Sequence, residues 1–506
     1  MSTSGSSMIY LDNAATSFPK APGLGRAMAA QIDNFPGNPG RGTHAAALAA
    51  DRLLFDARDS VARAIGAPEP ARLIFTKSAT EALNIVLFGL LDRGPLGAPH
   101  VEPLGAPHVE PLGAQWEAPD ARQPAPLDAQ WEAANAPQSA LLAAWAQHRS
   151  IFAHRGDRSV PLVVTSSYEH NAVMRPLRWL EKYRGVQVLV LPFDEAGRPD
   201  EAALTQALSL KPDLAVFTMA SNVTGVVLPW EELAERFHRV GSLVCLDGSQ
   251  YIGHFPFEMS ATPADYLCFP GHKGLLGPTG IGGLYLAGGP ETVFIPETVY
   301  TAGMTDTVGT LMPEPLIMGG TGSHSLSEEQ PTELPDRFEA GTQNLAGAAG
   351  LLHAVNFVTS VGLDEICRRE AELTLRLASG LSAISGIHVY GPPFRSSESP
   401  ALSPMESAAY QNPKGGAQRH ARSSQAPRHA PVVSFRPENL HLDVFATELD
   451  KRGVVARHGL HCAPEAHKTI GSLEFGGTVR LSPGYFTTEQ EIDEVLRIVA
   501  QIVKAS

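Results

Sequence analysis

Long apolar runs are missing from this 506-residue chain. No stretch is apolar for long enough to span a bilayer, so a membrane-embedded helix is not expected. The opening residues, Met1–Ser7, have neither a basic start nor an apolar core, and no secretory signal is read there. Cysteine is scarce. Cys245, Cys268, Cys367 and Cys462 lie far apart without paired spacing, which excludes a disulfide framework and points to reduced thiols in a cytoplasmic setting. Bases are also in short supply: 39 Lys and Arg face 53 Asp and Glu, a formal net charge of -14. That balance argues against nucleic acid or an anionic membrane as a partner. What is left is a soluble globular composition, 43% hydrophobic and 18% charged, in a chain too long for one ordinary core.

Short apolar runs alternate with amphipathic stretches. Residues 72–76, 162–165, 214–219, 243–246 and 266–269 read as strands, and 79–91, 230–240 and a segment starting at Asn171 read as helices. Apolar strands alternating with helices predict an α/β fold, with a parallel sheet covered on both faces and ligands at the carboxyl ends of its strands. From about residue 345 the pattern changes to two long helices (346–360 and 363–385), short strands at 387–389 and 432–435, and a closing helix over 488–503. This predicts a smaller α+β domain. The expected division is a large domain over 20–345 and a small one over 346–506 together with 1–19.

Two segments read as insertions. Within 93–158, the octapeptide PLGAPHVE occurs twice in tandem (95–102 and 103–110), followed by variants at Pro111 and Pro126. Residues 392–430 are rich in Ser, Pro, Gly and Arg. Such compositions bury too little surface to offset chain entropy, so disordered surface excursions are expected; a partner-binding arm is the alternative. The first excursion is mostly acidic and the second mostly basic, which hints at mutual attraction.

Chemistry concentrates just after the apolar runs. In Phe269-Pro270-Gly271-His272-Lys273-Gly274 a lysine follows a strand and sits among glycines and apolar neighbours. Desolvation there favours the free amine, as an imine-forming lysine requires; a surface lysine on a flexible loop is the plain alternative. Asp247 ends the strand LVCLD, where a carboxylate can hold a proton on the ring nitrogen of pyridoxal phosphate, although a turn or cap aspartate looks the same in sequence. Thr76–Asn84 places hydroxyls and backbone N–H groups where a strand turns into a helix. That end serves equally as a capping box (Ser78 with Glu81) and as an anion cradle. His170 follows another strand and could stack on a flat cofactor ring or be ordinary polar surface.

Taken in order, LDNAAT (11–16), SATEALN (78–84), EHNAV (169–173), SNVTG (221–225), LDGSQ (246–250), GHKGLLGP (271–278), RFEAGTQN (337–344) and RHGLHCAP (457–464) resemble the class V aminotransferase superfamily. Within it the match is to the cysteine desulfurase and selenocysteine lyase branch. The resemblance covers nearly the whole chain except the two insertions. It implies the type I fold of pyridoxal-phosphate enzymes, with a mainly parallel seven-stranded sheet, and a homodimer. By resemblance, Lys273 carries the cofactor, Asp247 pairs with the ring nitrogen, Gln250 bonds the ring hydroxyl and His170 stacks on the ring. Ala79, Thr80 and His272 hold the phosphate, with Thr342 supplied from the other subunit. Asn222 and Asn13 lie near the ring and substrate, and Arg457 and Arg480 bind substrate, Arg480 at its carboxylate. The implied substrate is L-cysteine or L-selenocysteine. A protein sulfur acceptor and iron–sulfur cluster assembly are implied beyond it. Two departures stand out: Pro270 occupies a position where many members have Ser or Thr, and Tyr485-Phe486-Thr487 replaces a Tyr-Asn-Thr stretch.

Cys462 sits between Gly459 and Pro464, on a loop, whereas the other three cysteines lie in apolar or helical runs. Arg457, His458 and His461 beside it would favour thiolate. A zinc site built from His458, His461, Cys462 and His467 is the competing reading; no second Cys/His pair lies nearby, and no metal is expected. By resemblance Cys462 is the persulfide-forming cysteine. A transaminase or lyase, or a non-catalytic scaffold, are the other functions this sequence brings to mind.

Overall fold

In the computed structural model the described residues are 8–34, 36–40, 42, 44–92, 160–288, 312–323, 326–392 and 429–505. The first expected excursion, 93–158, lies outside them; of the second, 392–430, residues 392, 429 and 430 are described, and Ala430 is buried with its N–H donating to the Gly225 carbonyl at 2.7 Å.

The chain opens with β1 (Ile9–Tyr10), α1 (Leu24–Asn34), α2 (Ala45–Ala64), β2 (Leu73–Thr76) and α3 (Ala79–Leu91). It continues through β3 (Leu162–Ser166), α4 (Asn171–Arg184), β4 (Gln187–Leu191), α5 (Glu201–Ser209), β5 (Leu214–Thr218), α6 (Trp230–Arg239), β6 (Leu243–Asp247), β7 (Tyr266–Pro270) and β8 (Gly282–Leu286). The later part holds α7 (Leu345–Val361), α8 (Leu363–Ser382), β9 (Ile387–Tyr390), β10 (Val433–Pro437), α9 (Leu442–Lys451), β11 (Val454–Val455), β12 (Arg457–Gly459), α10 (Pro464–Thr469), β13 (Thr478–Leu481) and α11 (Glu489–Ala505).

Seven strands form the main sheet in the order β2-β8-β7-β6-β5-β3-β4. All run parallel except β8, which is antiparallel to both neighbours. β5, β7 and β8 are buried at every residue, as apolar strands covered on both faces must be. α3 and α4 contribute Leu83, Val86, Val173 and Leu177 to the core against Val163, Val216 and Cys268. β8 is not legible in sequence, because GIGGLYL reads as the tail of a glycine-rich loop. Its glycines are there for packing: a Cβ on Gly283 would stand 2.5 Å from the Phe269 ring.

A second sheet has the order β12-β13-β10-β9 and is antiparallel throughout. Its core joins Phe435, Phe445, Leu481, Leu377 and Val499, so α8, α9 and α11 cover it. β1 pairs in parallel with β11 as a separate two-stranded sheet, and Ile9 and Leu11 join this core. Among the described residues no single helix is long and apolar enough to cross a membrane.

One buried ion pair fastens α2 to the segment before α7. Arg58 binds Glu339 through two hydrogen bonds of 2.7 and 2.8 Å and also donates to the Leu73 carbonyl, while Glu339 accepts from Phe75 N at 2.7 Å. Breaking such a pair leaves a charge in low dielectric. Glu339→Ala is expected to lower stability by about 3 kcal/mol, read as a lower urea midpoint. An unchanged midpoint would show that the pair is dispensable.

Candidate active site

Strands of both sheets deliver the site. After β2 the chain enters α3 through Ser78, whose Oγ accepts from Glu81 N at 3.2 Å, while Glu81 accepts from Lys77 N at 2.6 Å. Ser78 therefore caps α3, with Glu81 reaching back to the residue before the cap, and Ser78, Ala79 and Thr80 line a cavity of about 210 Å³. Cap and anion cradle coexist at this helix end.

After β3, Glu169 is fully buried. It accepts from Thr218 N at 2.9 and 3.1 Å and from Ser166 Oγ at 2.5 Å, and burial pushes its carboxyl up to about 8. It clamps the β3–α4 turn to β5 and so fixes the next residue, His170. Nδ1 of His170 caps α4 by accepting from Ala172 N at 3.0 Å, which leaves the ring proton on Nε2. Burial, then the nearby Lys273, lower this imidazole to about 4, so the ring that lines the cavity is neutral.

Asp247 ends β6, 2% exposed, with Oδ1 accepting from Ser249 N at 2.9 Å. Gln250 donates to the Ala14 carbonyl at 2.9 Å, drawing the LDNAAT segment over the cavity. After β7, Lys273 sits in a tight turn closed by Leu276 N to Lys273 O and Gly277 N to Gly271 O, both 2.8 Å. Gly274 is required by space: a Cβ there would meet the Ile252 carbonyl at 2.5 Å. Burial lowers the Lys273 amine to about 8; Asp247 opposes this, and Arg480 and Arg457 add to it.

From the second sheet, Arg480 on β13 donates to the Asn222 carbonyl at 2.9 Å and to Asp12 Oδ1 at 2.7 Å. Arg457 on β12 reaches the cavity wall too, and its Nη2 lies 3.6 Å from Cys462 Sγ. The thiol is exposed, yet its backbone is pinned. His461 and Cys462 both adopt left-handed φ, 48° and 59°, at a cost of roughly 1 kcal/mol each. Asn222 Nδ2 holds the His461 carbonyl and Asn171 N holds the Cys462 carbonyl, each at 2.7 Å. Ser434 donates to the Val223 carbonyl at 2.6 Å and Thr478 donates to Ser434 at 3.1 Å. Thr478 must then accept from His461 Nε2–H, 3.0 Å away, which fixes the tautomer.

The structure thus gathers Ala79, Thr80, His170, Asn222, Asp247, Gln250, His272, Lys273, Arg457 and Arg480 around one cavity, with Cys462 beside Arg457. Two of the expected residues stand apart. Asn13 has both side-chain atoms engaged, Nδ2 with the Ser482 carbonyl at 2.9 Å and Oδ1 with Phe18 N at 3.0 Å. Thr342 lines a neighbouring cavity of about 470 Å³ that shares Ser78 and Thr80. Of the three bases expected at the thiol, Arg457 is the one in contact. His458 pairs with Asp443 at 3.2 Å, and His461 is turned inward. His467 bonds Ser472 at 2.7 Å, and among the described residues no group of three or more His, Cys, Asp or Glu is placed to hold a metal ion. Asp12, Asn171 and Glu169 carry positioning roles that motif reading left unassigned; each lies inside or beside a quoted motif, which was the available signal.

The family model Aminotransferase class-V matches residues 9–98, 154–404 and 415–495. The chain is a class V aminotransferase family member. It is 30% identical to the "Probable cysteine desulfurase" of Methanothermobacter thermautotrophicus, over 96% of this chain and 92% of that protein. It is 28% identical to the "Probable cysteine desulfurase" of Pyrococcus abyssi, over 98% and 95%. The apo structure of a cysteine desulfurase from Thermococcus onnurineus superposes with a TM-score of 0.70 at 26% identity, over 99% of this chain and 95% of that one. The fold is therefore that of the type I pyridoxal-phosphate enzymes, and the family's cofactor is pyridoxal phosphate. The cavity fits it. His272 Nδ1 and Arg480 Nε are buried polar atoms without a partner, both on residues that line the cavity. A helix N-terminus, a buried carboxylate and a buried amine complete the set that the phosphate, ring nitrogen and aldehyde need.

Because the folded protein lowers the Lys273 amine, the neutral nucleophile predominates above about pH 8 rather than above 10.5. Capture of pyridoxal phosphate by apo-protein is expected to quicken as pH rises through about 8 and then level off. Lys273→Ala should retain no cofactor after borohydride and dialysis. Covalent retention in that variant would place the attachment elsewhere.

Proposed function

We propose that this enzyme is a cysteine desulfurase: it removes sulfur from L-cysteine, releases L-alanine and leaves a persulfide on Cys462. The observation that carries the reading is the thiol itself, its loop held by hydrogen bonds to the His461 and Cys462 carbonyls beside the cofactor cavity, with the Arg457 guanidinium 3.6 Å away. The names of the relatives support the same reading.

The residues divide the work. Arg480 and Arg457 receive the substrate carboxylate, a task suited to a guanidinium fork. Asp247 would hold a proton on the ring nitrogen of the bound cofactor, and His170, neutral and capped in place, would pack on its ring. When bound, pyridoxal phosphate supplies an electron sink beside the substrate's Cα. Lys273 Nζ, once free, takes the Cα proton and passes one back. The Cys462 thiolate attacks the substrate sulfur, forming an S–S bond as the Cβ–S bond breaks. The released electron pair stays with the carbon skeleton, which gains a proton and leaves as alanine. Arg457 stabilises the attacking thiolate.

We also read the enzyme as a cytoplasmic homodimer that hands its sulfur to a protein acceptor, for instance in iron–sulfur cluster assembly. Two observations support the dimer: Thr342 lies outside its own cofactor cavity, and it shares a neighbouring cavity with the exposed Leu316 and Ile317. The pairing of β1 with β11 supports a small domain formed by 346–506 with 1–19.

Cys462→Ala is expected to bind cofactor and cysteine, seen as a spectral change, yet to release alanine at least about a hundredfold more slowly than wild type. Alanine release at the wild-type rate would overturn the persulfide route and favour a lyase acting directly on its substrate, such as a selenocysteine lyase.

A further inference from the structure

Lys20 carries a charge that its neighbours do not answer. It ends the segment Thr16-Ser17-Phe18-Pro19-Lys20 and is half-buried. Its Nζ donates to Thr16 Oγ1 and Ser17 Oγ, each at 3.1 Å, and to the His272 carbonyl at 2.7 Å. An ammonium has three donors, so all are spent on uncharged oxygens. Burial lowers this amine to about 8, which keeps it protonated at neutral pH. The same His272 carbonyl also receives Ser17 N and Ser17 Oγ, both at 3.1 Å, so the N-terminal segment is bolted to the peptide that precedes Lys273.

His272 lines the cavity with Ala79 and Thr80, Lys20 does not, and this end of the cavity, the phosphate cradle, is short of charge. Ala79 and Thr80 offer neutral groups at a helix N-terminus. His272 is lowered to about 4, by burial first and then by Lys273 and Lys20, so its ring is neutral. Pro270 contributes no hydroxyl. Lys273 is committed to the cofactor's aldehyde, while Arg457 and Arg480 cluster with Cys462, Asp12 and Asn222. A phosphate dianion in such a cradle calls for a fixed cation close by.

We propose that Lys20 is that cation: a binding residue for the cofactor phosphate that acts by its charge across the His272 peptide and does not touch the phosphate. The inference rests on the pyridoxal-phosphate assignment and is independent of the sulfur chemistry.

Pyridoxal and pyridoxal phosphate differ only in the group concerned. Apo-protein is titrated with each, by absorbance, in wild type, Lys20→Gln, Lys20→Met and Lys20→Arg, with circular dichroism on the same samples. The neutral variants should bind pyridoxal phosphate about tenfold or more weakly while pyridoxal binding stays within about twofold. Lys20→Arg should keep the wild-type preference. Equal losses for both ligands would overturn the inference, since Lys20 would then only position the His272 peptide; unchanged affinities would do the same. Either soluble neutral variant decides the matter, and failure of both to fold would also count against it by making the role structural. If wild type takes up neither ligand, the cofactor assignment itself is what fails.

Discussion

The guanidinium of Arg480 is where the separate parts of this enzyme meet. It is 1% exposed and sits on a strand of the second sheet, yet it bonds Asp12 from the N-terminal segment and the Asn222 carbonyl from the loop after β5. A buried arginine is costly unless its donors are satisfied. Those partners therefore hold three stretches of chain, distant in sequence, in one fixed relation. Asn222 then uses its side chain to grip the thiol loop, so the position of Cys462 follows from the same guanidinium.

Around that anchor the electrostatics are lopsided. Arg457, Arg480 and Lys273 converge with Asp247 as the cavity's carboxylate, and Lys20 stands behind His272. Burial answers part of the surplus by driving His170 and His272 neutral and by easing Lys273 toward its free amine. The rest suits ligands that bring negative charge at two places, a phosphate at the α3 end and a carboxylate at the Arg480 end.

Cys462 combines exposure with a rigid backbone. Its loop is held through His461 and Cys462 carbonyls, and by an imidazole whose tautomer is set by a chain of hydroxyls ending on Val223. Left-handed backbone at two non-glycine residues is sustained because these contacts over-determine it. The thiol is thus open to solvent while its neighbour Arg457 lines the cavity.

Much of this was legible in the sequence. Apolar strands alternating with helices gave the layered α/β plan, and His170, Asp247 and Lys273, singled out by their local motifs and assigned roles by resemblance, fall at strand ends where parallel sheets place ligands. The cap at Ser78 was equally readable, being local. Contacts between distant segments were not. Nothing in GIGGLYL announces an antiparallel strand until Phe269 is seen filling the space left by Gly283. The bond of the Asn13 amide to the Ser482 carbonyl likewise joins segments that the sequence does not relate. His458 and His461 looked like neighbours of the thiol, but one turns to Asp443 and the other inward to Thr478. The sequence determined the elements, the motif order and the chemical groups at strand ends, since those depend on short-range pattern and residue type. Tertiary structure alone decided which groups share a cavity, which imidazoles are neutral and which cation lies behind the phosphate cradle. Burial and charge proximity arise only once segments far apart in the chain are packed together.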